Sequence, residues 1–394
     1  MISFQTHADK KKENGKIVIT GLHNFLLMAQ AFFVPLLFIL FIAFLPSCTA
    51  IGKRIDRSRL KSMAEHINED FNPGPPEELE AFLAELDIKE MTKPTESEVE
   101  KAGKAVKGTP PENWLLEEKL GSRLLQRRYV FTKPFDILIP EDMLERQSPA
   151  RKGIFYRYEL KEKQPKGTIL FLPGLGVSDF AFKFIDRFFL TILEEGWDLL
   201  IYIPPFHLER VGEGEDVELT LFTENIEANM RYQLAMVREI RTMITLLQKE
   251  DAKPLGAWGG SMGAATLLLT SLWEDIDHAA IMIPIVDWNL VLTGDICMEK
   301  CVPAFRKAGF DEELITKAYN RISPAEYPLG INPERMLIQI ADADQLTPPV
   351  AIEKYAENRN VDRIKRYSGS HATILLNSRV YKGYKDFLGS LSDK

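Results

Sequence analysis

Residues 256–264 read Gly-Ala-Trp-Gly-Gly-Ser-Met-Gly-Ala, which sets Ser261 in the pattern Gly-x-Ser-x-Gly. A short apolar run, Pro254–Trp258, enters this stretch, and an apolar helical pattern, Ala264–Trp273, leaves it. A strand-to-helix turn this tight strains its central residue and excludes side chains two positions to either side. Gly259 and Gly263 fill those two positions. The helix that follows aims its first amides at the serine and favours negative charge there. Ser261 is therefore read as a nucleophile on a tight turn. The competing reading, a glycine bend without chemistry, needs neither the strand nor the helix.

Working outward, short apolar runs recur at Thr168–Leu172, Leu199–Ile203, Leu255–Trp258, Ala279–Val286 and Met336–Ile340. Helical patterns lie between them. The clearest is Thr223–Lys249, where Ile226, Met230, Leu234, Val237, Ile240, Ile244 and Leu247 recur three or four residues apart behind Thr223 as N-cap. Buried strands alternating with amphipathic helices imply an α/β fold, a mostly parallel sheet covered by helices on both faces. Leu124–Phe131 and Ile154–Leu160 alternate more strictly and read as antiparallel edge strands. In such sheets the chemistry sits beyond the carboxyl ends of the strands.

A serine nucleophile needs a base, and the chain has six histidines. His7, His23 and His66 precede the folded region, His207 precedes the nucleophile, and His278 stands among acids before a strand, where solvation is expected. His371, in Gly-Ser-His-Ala after the run Val361–Tyr367 and before a final helix Arg379–Leu388, remains as general base. Three aspartates compete to orient it. Asp344, followed by Gln-Leu-Thr-Pro-Pro, leads; Asp287, at the end of the preceding strand, and Asp342 are the alternatives. Transition-state charge calls for amide donors. The Gly174-Leu175-Gly176 turn and the start of the helix after Ser261 offer those of Leu175 and Met262.

Together these residues resemble the α/β-hydrolase superfamily from about Lys119 to the C-terminus. The likeness rests on "GGSMG", on "PGLG" where many members have His-Gly, on "ADADQLTPP" and on "GSHA". It implies a Ser261–His371–Asp344 triad with Leu175 and Met262 as oxyanion donors. Pro173 and Ala341 depart from the usual pattern without removing a catalytic group. The chemistry implied is acyl transfer from a small-molecule or lipid ester, or a thioester, without a metal or organic cofactor. An acyltransferase and a non-catalytic binding protein on the same fold are the rivals.

Residues 288–335, between two strands of the sheet, occupy the usual place of a small helical lid. Trp288, Leu290, Val291, Leu292, Phe305 and Phe310 are expected to form the lid's own core rather than an acyl pocket. Cys297 and Cys301 stand four apart with no histidine near, which argues against a metal site. The acidic stretch His207–Leu221 is read as flanking the entrance.

The N-terminus differs in kind. Phe25–Leu45 is a 21-residue uncharged run, long enough to span a hydrocarbon core as a helix. It ends in Leu-Pro-Ser-Cys, which resembles a bacterial lipoprotein cleavage box and marks Cys48 as a lipidation site; an uncleaved signal-anchor is the equal alternative. Either way a membrane-attached chain is expected. The reading thus divides the chain into an anchor or signal (1–52), a charged, proline-rich tether (53–114) with one short helix from Pro76 docking Leu79, Phe82, Leu83 and Leu86, and a catalytic domain (115–394). A net charge of −8 and the absence of a basic stripe argue against nucleic acid as a partner.

Overall fold

The structure is a computed structural model, and it describes residues 52–58, 73–104, 116, 120–131, 137–176, 179–213, 225–250, 253–292, 303 and 305–391. The chain divides into two units, Met1–Cys48 and Thr49–Lys394. The first, with the apolar run and Cys48, lies outside the described residues, as do Cys297 and Cys301. Among the described residues no helix is long and apolar enough to cross a membrane.

The second unit is built on eight strands: β1 (Leu124–Phe131), β2 (Gly153–Leu160), β3 (Thr168–Leu172), β4 (Asp198–Ile203), β5 (Leu255–Gly260), β6 (His278–Met282), β7 (Met336–Ala341) and β8 (Ile364–Tyr367). They form one sheet in the order β1-β2-β4-β3-β5-β6-β7-β8. β2 runs antiparallel to both β1 and β4, and the remaining pairs are parallel. β3 through β7 are buried along their whole length, because side chains alternate between two faces that are both covered. In β3, Leu170 and Leu172 face one apolar core while Ile169 and Phe171 face the other. β6 ends at Met282, short of the expected Val286, because Ile283 turns the chain at φ 43°.

The helices are α1 (residues 52–58), α2 (Pro76–Glu85), α3 (Ile88–Met91), α4 (Glu96–Ala102), α5 (Asp179–Glu194), α6 (Ile226–Glu250), α7 (Met262–Thr270), α8 (Trp288–Leu292), α9 (Glu312–Asn320), α10 (Pro349–Asn358) and α11 (Ser378–Leu391). α5 and α11 cover one face of the sheet; α6, α7 and α10 cover the other. The expected cap Thr223 lies outside the described residues, and α6 is capped instead by Asn225, whose Oδ1 accepts from the Ala228 amide at 3.0 Å.

Two expectations about the flanking segments change. The stretch read as a tether contributes to the fold wherever it is described. Leu79, Phe82, Leu83, Leu86, Ile88, Val99 and Ala102 join the core on the α6 face. The charges that suggested a solvated spacer are partly spent on α6: Arg238 forks onto Glu98 at 3.0 and 2.8 Å, and Arg241 donates to the Lys89 carbonyl and Thr92. Glu98 is held below the ordinary carboxylate range, since its bonds to Arg238 and to Thr95 outweigh the burial that opposes ionisation. Among the described residues, the insertion at 288–335 likewise has no separate core. Trp288, Val291, Phe305 and Phe310 bury into the same core as α2 and α6, and the Arg321 guanidinium donates to the Leu86 carbonyl.

Candidate active site

Ser261 sits between β5 and α7 at φ 50° and ψ −116°, a strained conformation for a residue with a side chain. The glycines around it are sterically required. A Cβ on Gly259 would lie 2.9 Å from the Ala264 Cα, and one on Gly263 would lie 2.1 Å from the Leu172 carbonyl oxygen. The turn is pinned by the Ser261 amide, which donates to the Met282 carbonyl at 2.9 Å.

The structure brings together three of the residues singled out from the sequence. His371 Nε2 lies 2.9 Å from Ser261 Oγ, and His371 Nδ1 lies 2.8 Å from Asp344 Oδ2. A carboxylate accepts only, so Nδ1 carries the ring proton and Nε2 is left to accept from the serine hydroxyl. Asp344, almost fully buried, is fixed by further bonds. Its Oδ1 accepts from the amides of Leu346 and Thr347 at 2.8 Å, and its Oδ2 accepts from Thr347 Oγ1 at 2.8 Å. Thr347, which the sequence reading did not single out, thus completes the acid's shell.

The two alternative acids are placed elsewhere. Asp342 is largely exposed and pairs with Arg366 at 2.7 Å. Asp287 accepts from the Asn289 amide at 2.9 Å and from Ser323 Oγ, and so caps α8.

Ser261 opens on a cavity of about 180 Å³ lined chiefly by Phe171, Leu175, Ile185, Trp258, Met282 and Leu375. Phe171 and Trp258 stack with ring centroids 4.9 Å apart and form a rigid apolar wall. The Gly174–Gly176 turn runs along the same cavity, close enough that a Cβ on Gly174 would come within 3.0 Å of Ser261 Cβ. None of the described residues of the insertion at 288–335 lines it.

A second histidine serves this turn. His207 Nε2 accepts from the Gly176 amide at 2.9 Å, while its Nδ1–H donates to the Pro205 carbonyl at 2.7 Å. It is buried between two residues held at positive φ, Phe206 (58°) and Leu208 (51°). Burial pushes its pKa down to about 4, so the ring remains a neutral acceptor. A histidine closing a strand opposite a glycine turn was the signal available for it.

The fold is of the α/β-hydrolase type, and in it the turn at Ser261 follows β5, Asp344 follows β7 and His371 follows β8. No protein-family model matches the chain, and no curated protein matches it. Solved structures similar in fold include a cold-adapted esterase from an Arctic intertidal metagenomic library, at 13% identity and TM-score 0.41 over 67% of this chain and 94% of that one. An esterase of Pyrococcus furiosus is 16% identical, with TM-score 0.45 over 72% of this chain and 99% of that one. An acylaminoacyl peptidase of Pyrococcus horikoshii is 14% identical, with TM-score 0.45 over 72% of this chain but only 44% of the peptidase.

Proposed function

We propose that this chain is a serine hydrolase that cleaves a carboxylic ester or thioester through an acyl-enzyme. One observation carries the reading: an unbroken run of contacts from Ser261 Oγ through His371 to Asp344, with the serine facing an apolar cavity. Ser261 Oγ attacks the carbonyl carbon as His371 Nε2 takes its proton, and Asp344 stabilises the imidazolium that forms. The amides of Leu175 and Met262 receive the oxyanion. Collapse returns the proton to the leaving alcohol or thiol, and water repeats the sequence on the acyl-enzyme. The cavity falls below the roughly 300–1,000 Å³ usual for drug-sized ligands, which favours a short acyl group.

The apolar run Phe25–Leu45 supports attachment of the enzyme to a membrane, by a spanning helix or by acyl chains on Cys48. Intact mass of the detergent-extracted chain tests which: a start at Cys48 with added acyl mass supports lipidation, and a full-length unmodified chain refutes it. The hydrolase reading is tested with a fluorophosphonate probe and short p-nitrophenyl esters. The wild-type chain should be labelled and should turn over, and a chain that does neither overturns the reading.

A further inference from the structure

The acid loop after β7 and the histidine loop after β8 are joined by a residue from the far end of the chain. Asp56, on α1, is 3% exposed and lines the cavity. Its carboxylate accepts three main-chain amides: Gln345 at 3.2 Å and His371 at 3.0 Å on Oδ2, and Ala372 at 3.1 Å on Oδ1. Gln345 adjoins Asp344, so one carboxylate holds the backbones on both sides of the Asp344–His371 hydrogen bond. The start of the same helix is fitted to the same loop. Gly52 packs against Ser370 so closely that a Cβ there would lie 2.9 Å from Ser370 Cβ.

We infer that Asp56 is a positioning residue for the triad, a clamp supplied by the segment ahead of the catalytic domain. This inference rests on the triad reading. Asp56 touches none of the reacting atoms and acts through His371 in two ways. Geometrically, it ties the two loops beyond the last main-chain bonds between them, Asp342 N–H to the Tyr367 carbonyl at 2.9 Å and Ala343 N–H to the Gly369 carbonyl at 2.8 Å, and the serine–histidine contact depends on their spacing there. Electrostatically, it sets a carboxylate against the amide of His371, on which the imidazolium forms when Ser261 gives up its proton. Both carboxylate oxygens are already engaged by amides, so the arrangement suits holding a loop better than receiving a cationic substrate group.

The test compares the full-length wild-type chain with Asp56→Asn and Gly52→Val, using Ser261→Ala as the blank. Asp56→Asn keeps the size, loses the charge and turns a donor toward one of the amides. It should lower kcat on p-nitrophenyl acetate by about 10–10²-fold, the cost of a small misplacement of reacting groups, with KM within about twofold. Gly52→Val, which leaves Asp56 in place but wedges α1 away from Ser370, should lower kcat in the same way, again with KM nearly unchanged. An Asp56→Asn chain with wild-type kcat overturns the inference, whatever happens to its melting temperature, and so does one whose loss lies in KM alone. Should Asp56→Asn not fold, a Gly52→Val chain with wild-type kcat does the same. A wild-type chain inert to both ester and fluorophosphonate overturns the triad itself, so the two failures are distinct.

Discussion

His371 and His278 stand at opposite ends of the same sheet, and their surroundings share almost nothing. His278 opens β6 and pairs with Gly256 at the amino ends of the parallel strands. Its ring packs against Trp197 and Phe387, and among the described residues neither ring nitrogen has a hydrogen-bond partner. The expectation that it is solvated is therefore wrong: it is fully buried, and burial pushes its pKa down to about 3. His371 lies beyond β8 at the carboxyl ends, where the loops part around a cavity, with a partner on each ring nitrogen and part of its side chain open to solvent. The sheet closes at one end and opens at the other. An imidazole becomes useful where its nitrogens are met, and at the closed end it serves only as a flat, neutral core side chain.

The most damaging lesions should all lie at the open end. Ser261→Ala or His371→Ala should lower kcat on short esters by on the order of 10⁶, with little change in melting temperature. Wild-type turnover in Ser261→Ala would end the assignment. Asp344→Asn should cost about 10⁴ in kcat by favouring the wrong histidine tautomer. Asp342→Asn, which loses only an exposed pair with Arg366, should stay within about twofold. The reverse ranking would move the acid.

His207 tests whether the open end depends on support one layer back. His207→Ala frees the Gly176 amide and should lower kcat by about 10–10²-fold with little change in KM, as the oxyanion turn loses its register. Equal kcat would show that the turn holds itself.

The closed end should answer to pH instead. His278 enters the fold neutral, with its pKa lowered from 6.5 to about 3. Its contribution is therefore complete above pH 6.5 and declines as pH falls through that value toward 3, at about 1.4 kcal/mol per unit. Between pH 6.5 and 5 this amounts to about 2 kcal/mol. His278→Leu should flatten the acid dependence of urea unfolding by about that much while leaving ester turnover unchanged. An unflattened curve would mean that His278 protonates freely in the folded chain.

Much of this was legible in the chain because it rests on local rules. The run Thr168–Leu172, apolar after its first residue, became β3 without adjustment, since a strand covered on both faces carries apolar side chains on each. Ser261 was legible because the steric demands of its turn fall on residues two positions away, and Gly259 and Gly263 record them. His371 emerged by elimination and order. Less was legible where a residue's neighbours are remote. Asp287, Asp342 and Asp344 all follow strands on the same side of the sheet; the Gln-Leu-Thr-Pro-Pro after Asp344 put it first, but no local feature showed that two amides and the Thr347 hydroxyl would close around it. The insertion at 288–335 carried apolar residues but no sign of what they would cover.

By itself, then, the sequence determined the elements, their alternation and the tight turn that carries Ser261, because periodicity and turn sterics act over a few residues. Tertiary structure took Asp344 from the head of three ranked aspartates to His371, and it alone set His207 against the Gly174–Gly176 turn. It alone decided, too, that Asp56 clasps the amide of a residue 315 positions away. A carboxylate in a charged, proline-rich stretch looks the same whether water or a catalytic loop receives it. The difference is made only when the chain closes that distance and brings the carboxylate within reach of three amides.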